Sequence, residues 1–260
     1  VKGSGRSESN TSRDFSETEP VNLYYNNLKT YCIYTSRKSF KKLQNKREGA
    51  LKNQVLLTEE NDLVKGQISD CQGKFSDMEF RLKGDWVDHL VHENKWSFRI
   101  IMDNDDTFLG MRKFSFQHPK SRNYLWEWLF HRVIKEEGII GLRYDFCNLE
   151  LNVEDKHGAA TEKLGIMAIE EAFDKILIEN NKMREGVIIA FDESILWNKR
   201  ENQRRLGVKN AKSGKPFIEQ ATIKVFNQNK VLSDPKLSKQ FAIAKGLLDG
   251  LRKKEYSISD

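Results

Sequence analysis

The sequence predicts an α+β fold: a mostly antiparallel, twisted β-sheet with helices packed against it, and a further helical segment towards the C-terminal end. Three observations carry this reading. Runs that alternate apolar and polar residues cluster between residues 61 and 195, beginning with DLVKGQISD and SDMEFRLKG. Helical spacing is confined to a few separate segments, so the strands and helices do not form a regular βαβ series. The 260 residues include five Trp, and 10% of them are aromatic, giving the chain enough large rings to require a buried core.

The elements follow in order. Residues 1–20 are Ser, Gly and charge with almost nothing apolar, the composition of a disordered tail. Residues 21–60 form a basic helical lead-in, in which Phe40, Leu43, Ala50 and Leu51 recur at helical spacing and Thr35 or Ser36 serves as the cap. Within 61–195, Cys71-Gln72-Gly73-Lys74 connects the first two strands as an antiparallel hairpin, KWSFRIIM supplies a third strand, and GMRKFSFQ alternates again. A helix is expected from Ser121 to Glu137, with Leu125, Trp128, Leu129 and Val133 on one face and Gly138 closing it. Residues 142–153 read as a strand, and a short strand surrounds Leu164 to Ile169. A helix is then expected from Glu170 to Glu179 with Phe173, Ile176 and Leu177 inward, and a strand from Val187 to Phe191. The segment 196–260 is a basic, mobile connector through Lys215 followed by a helix. Ser233 and Asp234 can cap that helix, Pro235 fits its first turn, and Leu237, Phe241, Ala244, Leu248 and Leu251 form its stripe.

Charge narrows the function classes. A net charge of +6 arises from 44 basic against 38 acidic residues, a mild attraction for polyanions without the aromatic interleaving of a specific nucleic-acid binder. The basic runs Arg37 to Arg47 and Lys199 to Lys215 are therefore read as solvated faces. Cys32, Cys71 and Cys147 are far apart and odd in number, so no disulfide framework or CxxC site is read from them. No apolar run reaches the roughly 20 residues needed to span a bilayer, and the chain, starting at Val1, is read as a fragment or processed form. GxSxG, Walker-type and HExxH motifs are absent, which argues against common hydrolases, P-loop ATPases and zinc proteases.

One stretch concentrates charge at a strand connection: RLKGDWVDHLVHENKWSFRI, residues 81–100. Arg and Lys side chains with backbone N–H groups in such a turn can surround phosphate oxygens if they face a groove; the alternative is a solvated loop. Asp88, His89 and His92 invite a metal reading but lack a third ligand. Asp192 and Glu193 after a strand are ordinary turn chemistry.

Arg81-x-x-Gly84, a polar turn and Lys95-x-Ser97-x-Arg99 in a strand resemble the signature of the CotH kinase family, named for a bacterial spore-coat protein. The likeness extends through Gly110-Met111 with Phe114 to Gln117, Arg122-Asn123 before a Trp-rich helix, the strand Leu149 to Val153 with Asn152, and Gly165 followed by Glu171, and covers about half the chain. Two departures are the acidic turn Asp85-Trp86-Val87-Asp88-His89 and Met167 in place of an aromatic. The resemblance implies a protein-kinase-like N-lobe that clasps ATP with Mg²⁺ and phosphorylates Ser or Thr of a protein substrate in the intact enzyme. It implies Lys95 as the phosphate-gripping lysine, Glu171 as its helical carboxylate partner and Arg81 as a second cationic contact. Catalytic and metal-binding acids are expected beyond Asp260, and the fragment alone is expected to be inactive. Family likeness also suggests export or the cell envelope. A non-catalytic surface scaffold that keeps the kinase-like fold is the alternative.

Overall fold

The computed structural model describes residues 28–156, 158–184, 186–207, 221–253 and 255. The tail expected over residues 1–20 and part of the expected connector lie outside the described residues. Nine strands are described: β1 (Thr30–Ser36), β2 (Val64–Ser69), β3 (Ser76–Leu82), β4 (Phe98–Met102), β5 (Lys113–Gln117), β6 (Tyr144–Asp155), β7 (Gly158–Glu171), β8 (Ile189–Asp192) and β9 (Thr222–Val225). The described helices are α1 (Arg37–Asn53), α2 (Trp126–Glu136), α3 (Lys175–Asn180), α4 (Ser194–Arg205), α5 (Gln228–Ser233) and α6 (Pro235–Arg252).

Seven strands close on themselves in the order β1-β2-β3-β4-β5-β7-β6. This corrects the expected kinase-like lobe with its open twisted sheet: the sheet is a closed barrel, mixed because β1 runs parallel to β6 and antiparallel to β2, and most helices lie outside it. The physical reason is β1. Its sequence, TYCIYTS, is rich in aromatic and β-branched residues that suit a pleated surface. By pairing on both sides it gives the two free sheet edges a partner, which removes the unpaired backbone groups an open sheet would present.

The barrel interior is aromatic. Met78, Phe80, Phe98, Ile100, Phe114, Phe116 and Leu149 are each at most 1% exposed, and burial of each stabilises by roughly 1.5–3 kcal/mol. Phe80 meets Phe98 edge-on at 5.8 Å, and Phe114 meets Phe116 at 5.6 Å. Because strand side chains alternate, filling the interior with these residues turns Arg81, Arg99 and Ser115 to the outside. Gly66 permits this packing: a Cβ there would lie 2.8 Å from both the Phe80 ring and the Tyr34 carbonyl.

The Ser36 hydroxyl caps α1 by accepting from the Ser39 N–H at 3.1 Å. The helix buries Phe40, Leu43 and Ala50, and stacks Phe40 on Trp96 at 5.5 Å. Arg47 crosses to the 83–97 connection, donating to the carbonyls of Leu90 (2.8 Å) and His92 (3.1 Å) while lying 4.8 Å over the Trp96 ring. The long charged connection is thereby tied down at its far end.

Several local expectations change. The helix read from Glu170 to Glu179 is strand through Glu171, because β7 pairs along its length with β6; α3 starts only after Asp174, whose carboxylate accepts from the N–H groups of Ile176 and Leu177. Phe173 is exposed, not inward. Part of the expected connector is helix α4, with Trp197 buried edge-on against Trp86 at 4.7 Å. Of the residues read on one face of the Trp-rich helix, Leu125, which precedes α2, and Leu129 and Val133 within it are exposed. The last helix matches its signals: the Asp234 carboxylate accepts from Lys236 N–H at 2.8 Å and Leu237 N–H at 3.1 Å, and Pro235 opens it. Cys32 and Cys71, whose pairing could not be read from their spacing, form a disulfide that joins β1 to the β2–β3 turn across Cα atoms 5.2 Å apart. No helix is long and apolar enough to cross a membrane among the described residues.

Candidate functional site

The outward-facing residues of β3, β4, β5 and β7 line up across the sheet. Arg81 is the register partner of Arg99, Arg99 of Ser115, and Ser115 of Glu170. Lys83 follows Arg81 by two positions and so shares its face; its N–H donates to the Ser97 carbonyl at 2.8 Å, which carries the β3–β4 pairing one step beyond the strand. Over this face the connection from Lys83 to Ser97 folds back and leaves a cleft of about 310 Å³, lined by Arg81, Lys83, Arg99, Arg122 and Glu170 together with Asp85, Trp86 and His89.

Gly84 shapes the near wall. Its φ of +107° is accessible to glycine, and a Cβ there would sit 2.4 Å from the His89 ring. His89 is 3% exposed and its Nδ1 lies 3.0 Å from the Ser97 hydroxyl, which also accepts from the His118 N–H at 3.1 Å. Burial, with Arg122 and Lys83 nearby, pushes His89 down to about 3 and keeps it neutral.

Four cations face two carboxylates in this cleft, and their pairing is uneven. Lys83 is buried; its amine donates to Gln117 Oε1 at 2.8 Å and forms an ion pair with Glu170. Desolvation pulls it down to about 8, with Glu170 opposing that shift. Arg122 pairs with Glu127 of α2 at 3.0 Å. Arg81 donates to the Leu82 carbonyl at 2.9 Å, and the Arg99 side chain has no hydrogen-bond or ion-pair partner among the described residues. Desolvation lowers the pKa of both arginines. Two like charges directly opposite on neighbouring strands repel, and although Asp85 and Glu170 act on them through space, neither arginine forms an ion pair among the described residues. Beside them the Ser115 hydroxyl is buried without a partner. An anion with several oxygens in the cleft would satisfy the two arginines through charge-assisted hydrogen bonds, while Ser115 lies beneath the lining.

Of the residues singled out from sequence, Arg81 lines the cleft and the other two lie elsewhere. Lys95 Nζ reaches the Ile166 carbonyl at 3.4 Å. Glu171 lies further along β7, at roughly 3.3 Å per residue about 16 Å away, and it is on a strand, not a helix. Its carboxylate is gripped by Arg143, with Nε donating to Oε2 at 2.8 Å and Nη2 to Oε1 at 2.6 Å. The amine and carboxylate that meet are those of Lys83 and Glu170. Lys83 was available as the third residue of Arg81-Leu82-Lys83-Gly84, and strand alternation alone puts it with Arg81. Arg99 and Gln117 required the register of β4 and β5, which no local signal supplies.

No group of three or more His, Cys, Asp or Glu side chains is arranged to hold a metal among the described residues. The carboxylates of the cleft do not fit a magnesium cage, since Glu170 is engaged by Lys83 and Asp85 alone is too few. No protein-family model matches the chain, and no curated protein matches it.

Proposed function

We propose that the cleft binds the phosphate groups of ATP, and that the chain is the nucleotide-binding part of a CotH-like phosphotransferase acting on Ser or Thr of a protein. The observation that carries this reading is the facing pair Arg81 and Arg99, both without a carboxylate partner, beside a lysine whose amine is held by Glu170. Phosphoryl transfer depends mostly on positioning and charge neutralisation, and a lysine oriented by a glutamate next to arginines supplies both for a polyphosphate. Two of the three Lys83 N–H groups are engaged by Gln117 and Glu170, which leaves one for a phosphate oxygen.

The motif residues Arg81, Lys83, Gly84 and Arg99 carry the family likeness in this reading; the kinase-lobe architecture does not. In this reading the residues that activate the acceptor lie beyond Asp260. The disulfide between Cys32 and Cys71 favours an oxidising, extracytoplasmic setting.

Equilibrium dialysis of the protein with radiolabelled ATP tests the proposal. Binding that weakens steeply as salt rises from 50 to 200 mM supports it, because each phosphate contact is electrostatic. Absence of saturable ATP binding at low salt contradicts it and leaves the non-catalytic scaffold as the reading.

A further inference from the structure

Gln117 ends β5, is 0% exposed, and projects outward between Lys83 and α2. Its amide orientation follows from its neighbours. Lys83 can only donate, so the oxygen faces Lys83 at 2.8 Å. The nitrogen then faces two acceptors, the Tyr144 hydroxyl at 3.3 Å and Glu127 Oε2 at 3.5 Å. Tyr144 is the register partner of Glu170, and Glu127 is also the carboxylate that holds Arg122. One side chain thus connects the supports of both Lys83 and Arg122, while lining no part of the cleft itself.

We infer that Gln117 is the positioning residue of the cleft: its anchored carbonyl, opposite Glu170, fixes the Lys83 amine so that the remaining N–H points at a ligand phosphate. The inference deepens the ATP reading and rests on it. A flipped amide would set the Gln117 NH₂ against the Lys83 ammonium and its oxygen against Glu127, so the rotamer has one workable orientation. An amine held between a neutral carbonyl and a carboxylate stays charged in a buried place without being saturated by two ion pairs, which would compete with phosphate for it.

The test reads Lys83 directly. Acetic anhydride labelling of the whole protein over a pH series, with each lysine followed by mass spectrometry, gives the protonation midpoint of Lys83 without any nucleotide. Gln117→Glu should raise that midpoint by about one unit or more, since it places a second carboxylate on the amine, and Gln117→Met should lower it by up to about one unit. Tyr144→Phe, which frees the amide nitrogen and leaves the carbonyl in place, should give a smaller downward shift and serves if Gln117→Met does not fold. ATP dialysis at pH 7.5 should show roughly tenfold weaker binding in Gln117→Met. Unmoved midpoints in both Gln117 variants, with only thermal stability reduced, would overturn the inference and leave Gln117 as packing. Shifted midpoints in a protein that binds no ATP would uphold the positioning of Lys83 and reject the nucleotide reading instead.

Discussion

Two adjacent glutamates on β7 occupy opposite kinds of environment. Glu171 turns inward, is 1% exposed, and is held bidentately by Arg143, whose remaining donors go to the carbonyls of Leu109 and Gly110 at 2.8 Å each. Glu170 turns outward to Lys83, in a cleft where Arg81 and Arg99 have no carboxylate. The first cluster is saturated, and every strong donor has its acceptor. In the second, cationic donors exceed acceptors. A saturated buried ion pair holds a structure together; an excess of desolvated donors is a place where something else binds. The side of the strand on which a glutamate falls decides which role it has.

One of the two largest effects should come from breaking the saturated side. Glu171→Gln takes the carboxylate charge from two charge-assisted hydrogen bonds of the half-exposed Arg143 and should destabilise by about 3 kcal/mol, read as the midpoint of urea unfolding, while ATP affinity of the folded fraction stays within about twofold. If Glu171→Gln abolished ATP binding without loss of stability, the two clusters would have been assigned the wrong way round. Reduction of the Cys32–Cys71 bond should give the other. It closes a loop of 39 residues between the barrel-closing strand and a hairpin turn, so its loss should lower stability by up to about 4 kcal/mol on the chain-entropy account. Unchanged unfolding in reductant would show that β1 holds its place without it.

Acidification should weaken the wall of the cleft through His89. His89 is ordinarily protonated near 6.5 and folded only near 3, so between those values the unfolded chain binds a proton that the folded chain refuses. Stability should therefore fall as pH drops from about 6.5 towards 3, and His89→Asn should flatten that slope. Lys83 works at the other end. Its folded value of about 8 lies below the usual 10.5, so its contribution to stability rises with pH across that window, whereas phosphate affinity should fall as the amine discharges above pH 8. An ATP affinity flat from pH 7 to 9.5 would remove Lys83 from the contact.

Much of the β-rich middle was legible in sequence because alternation is a local signal. The β2–β3 hairpin, β4, β5 and the β6 strand lie where their period-two runs lie. Closure was not legible: Tyr31, Cys32 and Ile33 are consecutively buried, so β1 shows no alternation despite its strong β composition. The site was half legible for a related reason. Arg81 and Lys83 stand two apart on one strand, but the meeting of Arg81 with Arg99 depends on a register set across the long 83–97 connection. Reading residues 170–179 as a helix removed the alternation that separates Glu170 from Glu171. The family resemblance places Lys95 on the strand, yet that strand begins only at Phe98, and Lys95 stands in the loop before it with its amine at the Ile166 carbonyl.

Isothermal titration of ATP at low salt into wild type, Lys83→Met, Arg99→Met and Lys95→Met tests the central claim most directly. The account predicts affinity reduced tenfold or more for Lys83→Met and Arg99→Met, as expected for a lost charge-assisted phosphate contact, and unchanged for Lys95→Met. Normal binding by Lys83→Met with loss in Lys95→Met would contradict it.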